Sequence, residues 1–185
     1  MTRKPRSIGS LILGIDPGLS ATGYGLIRPA APRTGRLPQA KYVEAGVIRT
    51  SDATSLEERL VEIQRGIEEV LADFSPDVLA VEALYSHYAH PRTAILMGHA
   101  RGVICCAAAS RGLPVLNYAV TEIKKALTGN GRARKDQVQR AVAHVLGFPS
   151  LPEPPDAADA LAVAICHLEA RSQEAALSSP EPVRP

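Results

Sequence analysis

The chain has 185 residues, a formal net charge of +2 and a hydrophobic content of 45%. That length suits one domain and leaves little room for a second, and the charge is too small to mark a polyanion-binding protein by composition alone. With no Trp and only 4% aromatic residues, the core has to be built from Leu, Ile, Val and Ala.

Residues 10–16 form a short apolar run closed by Pro17-Gly18, which predicts a strand ending in a turn. Residues 22–28 read as its hairpin partner, and after a loop rich in Pro, Arg and Gly a third strand is expected over 41–50. The period then changes. Ser55-Leu56-Glu57-Glu58 is a capping box, and Leu56, Leu60, Ile63, Ile67, Val70 and Leu71 share one helical face. Pro76 resets the chain before a fourth strand over 78–82. An Ala-rich helix is expected over 92–111, a fifth strand over 115–118, and helices over 121–127, 134–146 and 156–170. Strand and helix order βββαβαβα predicts an α/β fold with a five-stranded mixed sheet flanked by helices. In the ribonuclease H arrangement, that order sets the first and fourth strands side by side. The expected organisation is a basic N-terminal extension (1–9), one α/β domain (10–170) and a polar, Pro-containing tail without fixed structure (171–185).

Four carboxylates stand out. Asp16 and Glu82 each close an apolar strand, and ligand sites at the carboxyl ends of parallel strands are the general expectation for such sheets. Asp156 and Asp159 lie three apart at the start of an apolar helix, so they share a face. Three have a plainer reading: Asp16 as a turn residue, Glu82 as a surface residue past its strand, Asp156 as a dipole-complementing acid. Asp159 resists one, because it leads into the nearly all-apolar run 160–165 and an acid there needs a partner. Together the four would form an all-oxygen cage suited to Mg²⁺ or Mn²⁺. Two ions ~3.5–4 Å apart in such a cage can drive in-line phosphodiester cleavage.

Leu13-Gly14-Ile15-Asp16-Pro17-Gly18 followed by Thr22-Gly23-Tyr24-Gly25 resembles the opening of the RuvC family of crossover junction endonucleases. Gly98-His99-Ala100-Arg101-Gly102 resembles that family's Gly-Gln-Ala-Arg-Gly helix, and Asp156-Ala157-Ala158-Asp159-Ala160-Leu161 its C-terminal motif. The similarity runs over 11–167, in the family's order and spacing. It implies a ribonuclease H-like, homodimeric, Mg²⁺-dependent enzyme that nicks opposed strands of a four-way DNA junction and leaves 5′-phosphate and 3′-hydroxyl ends. Asp16, Glu82, Asp156 and Asp159 fall on the family's metal-binding acids. Tyr85 falls where the family has an aromatic that meets the junction near its crossover, and stacking on a base suits it. The RuvA–RuvB branch-migration complex is a further candidate partner.

Lys124, Lys125, Arg132, Arg134, Lys135 and Arg140 cluster around a Gly-Asn-Gly loop against the single acid Asp136, a distribution that could follow a phosphate backbone. Lys124 and Lys135 match positions where the family carries DNA-contacting lysines; Arg132 and Arg134 are candidates from the cluster. Ala94, Gly98 and Gly102 form a small-residue stripe for a close helix contact, either with a two-fold mate or with the protein's own sheet. The segment 83–91 departs from the family in lacking a Lys-Asn pair. His99 replaces the family's Gln and is expected to pack within its helix; His144 and His167 read as structural.

Cys105, Cys106 and Cys166 read as small buried hydrophobes in a reducing cytosol, not a disulfide framework. No apolar run is expected to reach the ~20 residues of a spanning helix, and the basic N-terminus has no separate signal-peptide core. A cytoplasmic protein without membrane association is the expectation. Two rivals stay open: another ribonuclease H-like nuclease acting on RNA or other branched DNA, and a junction-binding protein without cleavage.

Overall fold

The computed structural model describes residues 11–30, 39–84, 91–150 and 152–178. Its elements in chain order are β1 (Ile12–Asp16), β2 (Ala21–Pro29), β3 (Ala40–Arg49), α1 (Leu56–Phe74), β4 (Val78–Glu82), α2 (Pro91–Ser110), β5 (Val115–Tyr118), α3 (Val120–Thr128), α4 (Lys135–Leu146) and α5 (Pro155–Ser178). The strands form one sheet in the order β3-β2-β1-β4-β5. β1, β2 and β3 make the expected antiparallel meander, while β4 runs parallel to both β1 and β5. The mixed five-stranded sheet is therefore as expected.

Alternation along the central strands sends successive side chains to opposite faces. Leu13, Ile15, Leu79 and Val81 pack with Ile63 and Ile67 of α1 and Ala100 and Ile104 of α2. Ile12, Val78 and Ala80 pack on the other face with residues from α3, α4 and α5. α5 is buried without interruption from Ala160 to Leu168, and this explains its continuous apolar run. Full burial of a side chain such as Leu161 or Ile165 contributes about 1.5–3 kcal/mol.

The predicted capping box at α1 forms: Ser55 Oγ accepts from Glu58 N at 3.2 Å, and a Glu58 carboxylate oxygen accepts from Ser55 N at 2.9 Å. α5 extends to Ser178, beyond the expected end near Ala170. Gln173, Glu174, Ala175 and Ala176 are good helix formers, and local propensity outweighs the lack of apolar residues to bury there. Of the expected tail, 179–185 lies outside the described residues, as do the N-terminal extension and Leu151.

Three further expectations need correction. Residues Arg92–Ser110 of α2 form a 19-residue stretch long and apolar enough, by length and composition, to cross a membrane. Its Ala, Ile and Cys content packs as well on protein as in lipid, and Ala100, Ile104, Ala107 and Ala108 are buried in the core shared with α1. Of the cysteines only Cys166 is buried; Cys105 is half-buried and Cys106 is exposed on α2. His99 is also exposed, because it lies on the side of α2 turned away from the sheet.

Candidate active site

β1 and β4 are adjacent and parallel, so Asp16 and Glu82 reach the carboxyl edge of the sheet side by side. Both belong to the face covered by α5. Two residues before Asp16, Gly14 meets α5 so closely that a Cβ there would lie 2.2 Å from the Ala160 carbonyl oxygen. Gly23 stands directly opposite Asp16 in the β1–β2 register. A Cβ at Gly23 would lie 2.0 Å from the Asp156 carbonyl oxygen. These bare positions let the first turn of α5 settle on the sheet beside Asp16. Behind Asp16 the Pro17-Gly18 turn is closed by buried Thr22, whose hydroxyl donates to the Gly18 carbonyl at 2.7 Å.

All four acids are half-buried. Burial, followed by the charges of Glu82, Asp159 and Asp156, pushes the Asp16 carboxyl up to about 7 from its usual 3.8. Glu82 is also raised, by burial first and then by Asp159, with Lys124 and Lys135 pulling it back. The structure thus brings Asp16, Glu82, Asp156 and Asp159 to one place, where each added negative charge opposes the others. Among the described residues, no three acidic, His or Cys side chains converge tightly enough to enclose an ion.

Lys135, at the first turn of α4, reaches into this cluster. Its Nζ stands 2.5 Å from Asp159 Oδ2. That hydrogen bond raises the lysine pKa, and the charges of Asp159, Asp16 and Asp156 add to the effect against the opposing influence of burial. An ammonium group here partly balances the acids, a role that spacing along the chain did not reveal. Lys124 is half-buried and close enough to Glu82 to lower its pKa.

The remaining basic candidates are arranged differently. Arg134 pairs with Asp136 at 3.2 Å, and Arg140 with the same oxygen at 2.6 Å, in an exposed cluster at the start of α4. Arg132 is exposed on the Gly-Asn-Gly loop, where its backbone N–H donates to Asn130 Oδ1 at 3.0 Å. Tyr85 lies outside the described residues. The Gly98 and Gly102 stripe is exposed, and a Cβ at either would meet nothing within 4 Å. His167 is buried and shares a 2.7 Å hydrogen bond with the Tyr118 hydroxyl through Nδ1, consistent with its structural reading. Exposed His144 ends α4 at its negative pole.

Sequence reasoning passed over the structural work of Thr22 and of Gly14 and Gly23. The Thr-Gly-Tyr-Gly run was visible, but its contact with α5 joins segments more than 130 residues apart and has no local signature.

A model of the family described as crossover junction endodeoxyribonuclease RuvC matches residues 12–167. The crossover junction endodeoxyribonuclease RuvC of Rhodopirellula baltica is 53% identical over 166 residues, covering 90% of this chain and 89% of that protein. A Thermus thermophilus RuvC structure superposes with a TM-score of 0.81 at 32% identity, covering 89% of this chain and 96% of that one. The T. thermophilus RuvC in complex with Holliday junction substrate gives a TM-score of 0.78 at 30% identity, covering 88% and 96% respectively. With the ribonuclease H-like sheet and the acids at its carboxyl edge, these matches establish that the chain belongs to the RuvC family of crossover junction endodeoxyribonucleases.

Proposed function

We propose that the chain resolves four-way DNA junctions by nicking two opposed strands, with Asp16, Glu82, Asp156 and Asp159 as the catalytic carboxylates. The observation that carries this reading is the seating of the α5 acids against Asp16 and Glu82 at the ends of two adjacent parallel strands. Four oxygen-donor side chains at one edge suit Mg²⁺, with Mn²⁺ as a substitute, and offer no soft ligand for another metal. The raised pKa of Asp16 and the lysine ammonium held by Asp159 both indicate a place that favours positive charge. When bound there, two Mg²⁺ ions would supply an activated water and neutralise the charge that develops on the leaving 3′-oxygen.

The protein's own part is to hold the carboxylates and orient the strand. Asp16 and Glu82 are fixed by paired strands, Asp156 and Asp159 by a helix sunk into the core. Lys124 and Lys135 border the acids and can draw a phosphate towards them. Arg132 and Arg134 are exposed and suit flanking backbone, while Tyr85 suits stacking near the crossover. The products would carry 5′-phosphate and 3′-hydroxyl ends.

A homodimer fits the outer face of α2, which leaves Gly98 and Gly102 bare and Ile95 62% exposed. Isologous packing there would offer two identical sites to a two-fold junction. Family membership alone nominates the RuvA–RuvB complex as a partner, and the DNA substrate argues for action in the cytoplasm.

The test is cleavage of a synthetic four-way junction, with linear duplex and RNA–DNA hybrid as controls. Paired, Mg²⁺-dependent nicks in the junction alone are expected, and D16N, E82Q, D156N and D159N should each abolish them while still binding the junction. A D159N variant that cuts at the wild-type rate would refute the assignment.

A further inference from the structure

The Gly98-His99-Ala100-Arg101-Gly102 segment has no part in the acid cluster, yet Arg101 turns back from α2 towards it. Its Nε donates to the backbone carbonyl of Glu82 at 3.3 Å. Its terminal Nη2 donates to the side-chain oxygen of Asn117 on β5. Asn117 pairs with Val81, the residue before Glu82.

Glu82 stands one residue past the end of the β1–β4 ladder and is paired only with Tyr118 of β5. The last β1–β4 pair is Ile15 with Val81, so β1 provides no partner opposite Glu82. On the other side, the Ala83 N–H donates to the Tyr118 carbonyl at 2.8 Å. The peptide unit joining Glu82 to Ala83 is therefore held from both sides, its N–H by β5 and its carbonyl by Arg101. A backbone carbonyl left without a donor at a strand end lets that peptide rotate. Rotation there changes ψ of Glu82 and swings the residue that carries the carboxylate.

The influence of Arg101 runs through the backbone rather than through charge. The cations that lower the Glu82 pKa are Lys124 and Lys135, not Arg101. We infer that Arg101 is a positioning residue for Glu82: its guanidinium clamps the Glu82 carbonyl and Asn117 together, and so fixes the carboxylate that would hold the divalent cation. This rests on the proposed role of Glu82 as a metal-binding acid. The clamp arises from the helix whose outer face would meet the second copy, so partner seating and carboxylate placement share one element.

The variants are R101M, R101K and N117A, with E82Q as reference. Mn²⁺ binding to the DNA-free protein is read by electron paramagnetic resonance, and the Mg²⁺ dependence of junction nicking is measured separately from the maximal rate. Loss of a hydrogen bond that orients a metal ligand weakens metal binding about 10–100-fold, so R101M should bind Mn²⁺ at least about tenfold more weakly. Its Mg²⁺ requirement should rise by a similar factor while metal-free junction binding is retained. R101K should recover part of the loss, because an ammonium can reach one acceptor without bridging both. N117A should shift in the same direction by less.

A folded R101M with wild-type Mn²⁺ binding and Mg²⁺ dependence would overturn the inference. So would a loss of metal-free junction binding that accounts for the whole defect. Should R101M fail to fold, N117A decides, and unchanged Mn²⁺ affinity in N117A overturns the clamp. An E82Q protein that still nicks would place the fault in the reading of Glu82 itself. An inactive E82Q beside a normal R101M would reject the clamp alone.

Discussion

Replacing Gly23 with alanine tests whether the active site depends on the close approach of α5 to the sheet. The new methyl carbon would stand 2.0 Å from the Asp156 carbonyl oxygen and 2.6 Å from its carbonyl carbon. Carbon and oxygen rest at no less than about 3.3 Å, so β2 and the first turn of α5 must separate by about 1.3 Å. Alanine gains about 0.5–1 kcal/mol over glycine in a strand through chain entropy. Overpacking costs about 1–3 kcal/mol, so the net change is a modest loss of stability. Activity should fall further, because a displacement of about 1 Å in a reacting group can lower the rate about a hundredfold. Initial nicking rates on a four-way junction at saturating Mg²⁺, measured beside urea unfolding, separate the two effects. The expected result is a rate about two orders of magnitude lower in a protein that still folds and binds junction. A G23A variant that nicks at the wild-type rate would refute the argument that bare backbone at this position sets the placement of Asp156.

The raised pKa of Asp16, about 7 in the folded protein against 3.8 ordinarily, makes metal-free stability depend on pH. The folded state binds the proton more tightly, so this contribution is fully present below about pH 4 and is lost as pH rises through 7. His167, lowered to about 4 by burial, slopes the other way between pH 4 and 6.5, so the comparison with D16N isolates the Asp16 contribution. In EDTA, the melting temperature of the native protein relative to D16N should fall from pH 5 to 8, and parallel curves would contradict the electrostatic account. K135A should weaken junction binding and reduce the slope of log affinity against log salt by about one, as fits one phosphate contact; an unchanged slope would leave Lys135 as a partner of Asp159 only. I95D should turn a dimer into a monomer by sedimentation, and a dimer that persists would place the interface elsewhere. Y118F removes the 2.7 Å hydrogen bond to buried His167 and should cost about 1–3 kcal/mol in urea unfolding. An unchanged midpoint would show that the imidazole finds another partner.

The elements legible in sequence were those whose signals are local. The capping box at Ser55, the strand Val78–Glu82 ahead of its loop and the acids flanking Ala157-Ala158 all follow from neighbours within a few residues. The order of strands and helices, read as a ribonuclease H arrangement, then supplied what periodicity could not, the adjacency of the strands that end in Asp16 and Glu82. What stayed hidden depends on three-dimensional approach. Lys135 stood out only as a candidate DNA contact; its pairing with Asp159, across 24 positions of chain, came from the packing of α4. Arg101 was visible within a glycine-bounded motif, but nothing local indicated that its guanidinium would reach the end of a strand 19 residues earlier. The apolar character of α2 was underestimated because His99 and Arg101 interrupt a run made mostly of Ala, Ile, Leu, Met, Val, Gly and Cys.

The sheet divides the interior into two separate hydrophobic layers, one built with α1 and α2 and the other with α3, α4 and α5. Such layers can open independently in local unfolding. Transient loosening of α2, as docking of the proposed second copy would bring, need not disturb the burial of α5 that carries Asp156 and Asp159. In amide hydrogen exchange the two layers should then show distinct opening free energies, with the α5 backbone among the last to exchange. The half of the site borne by α5 would keep its shape through subunit exchange, while the half borne by β4 would register it.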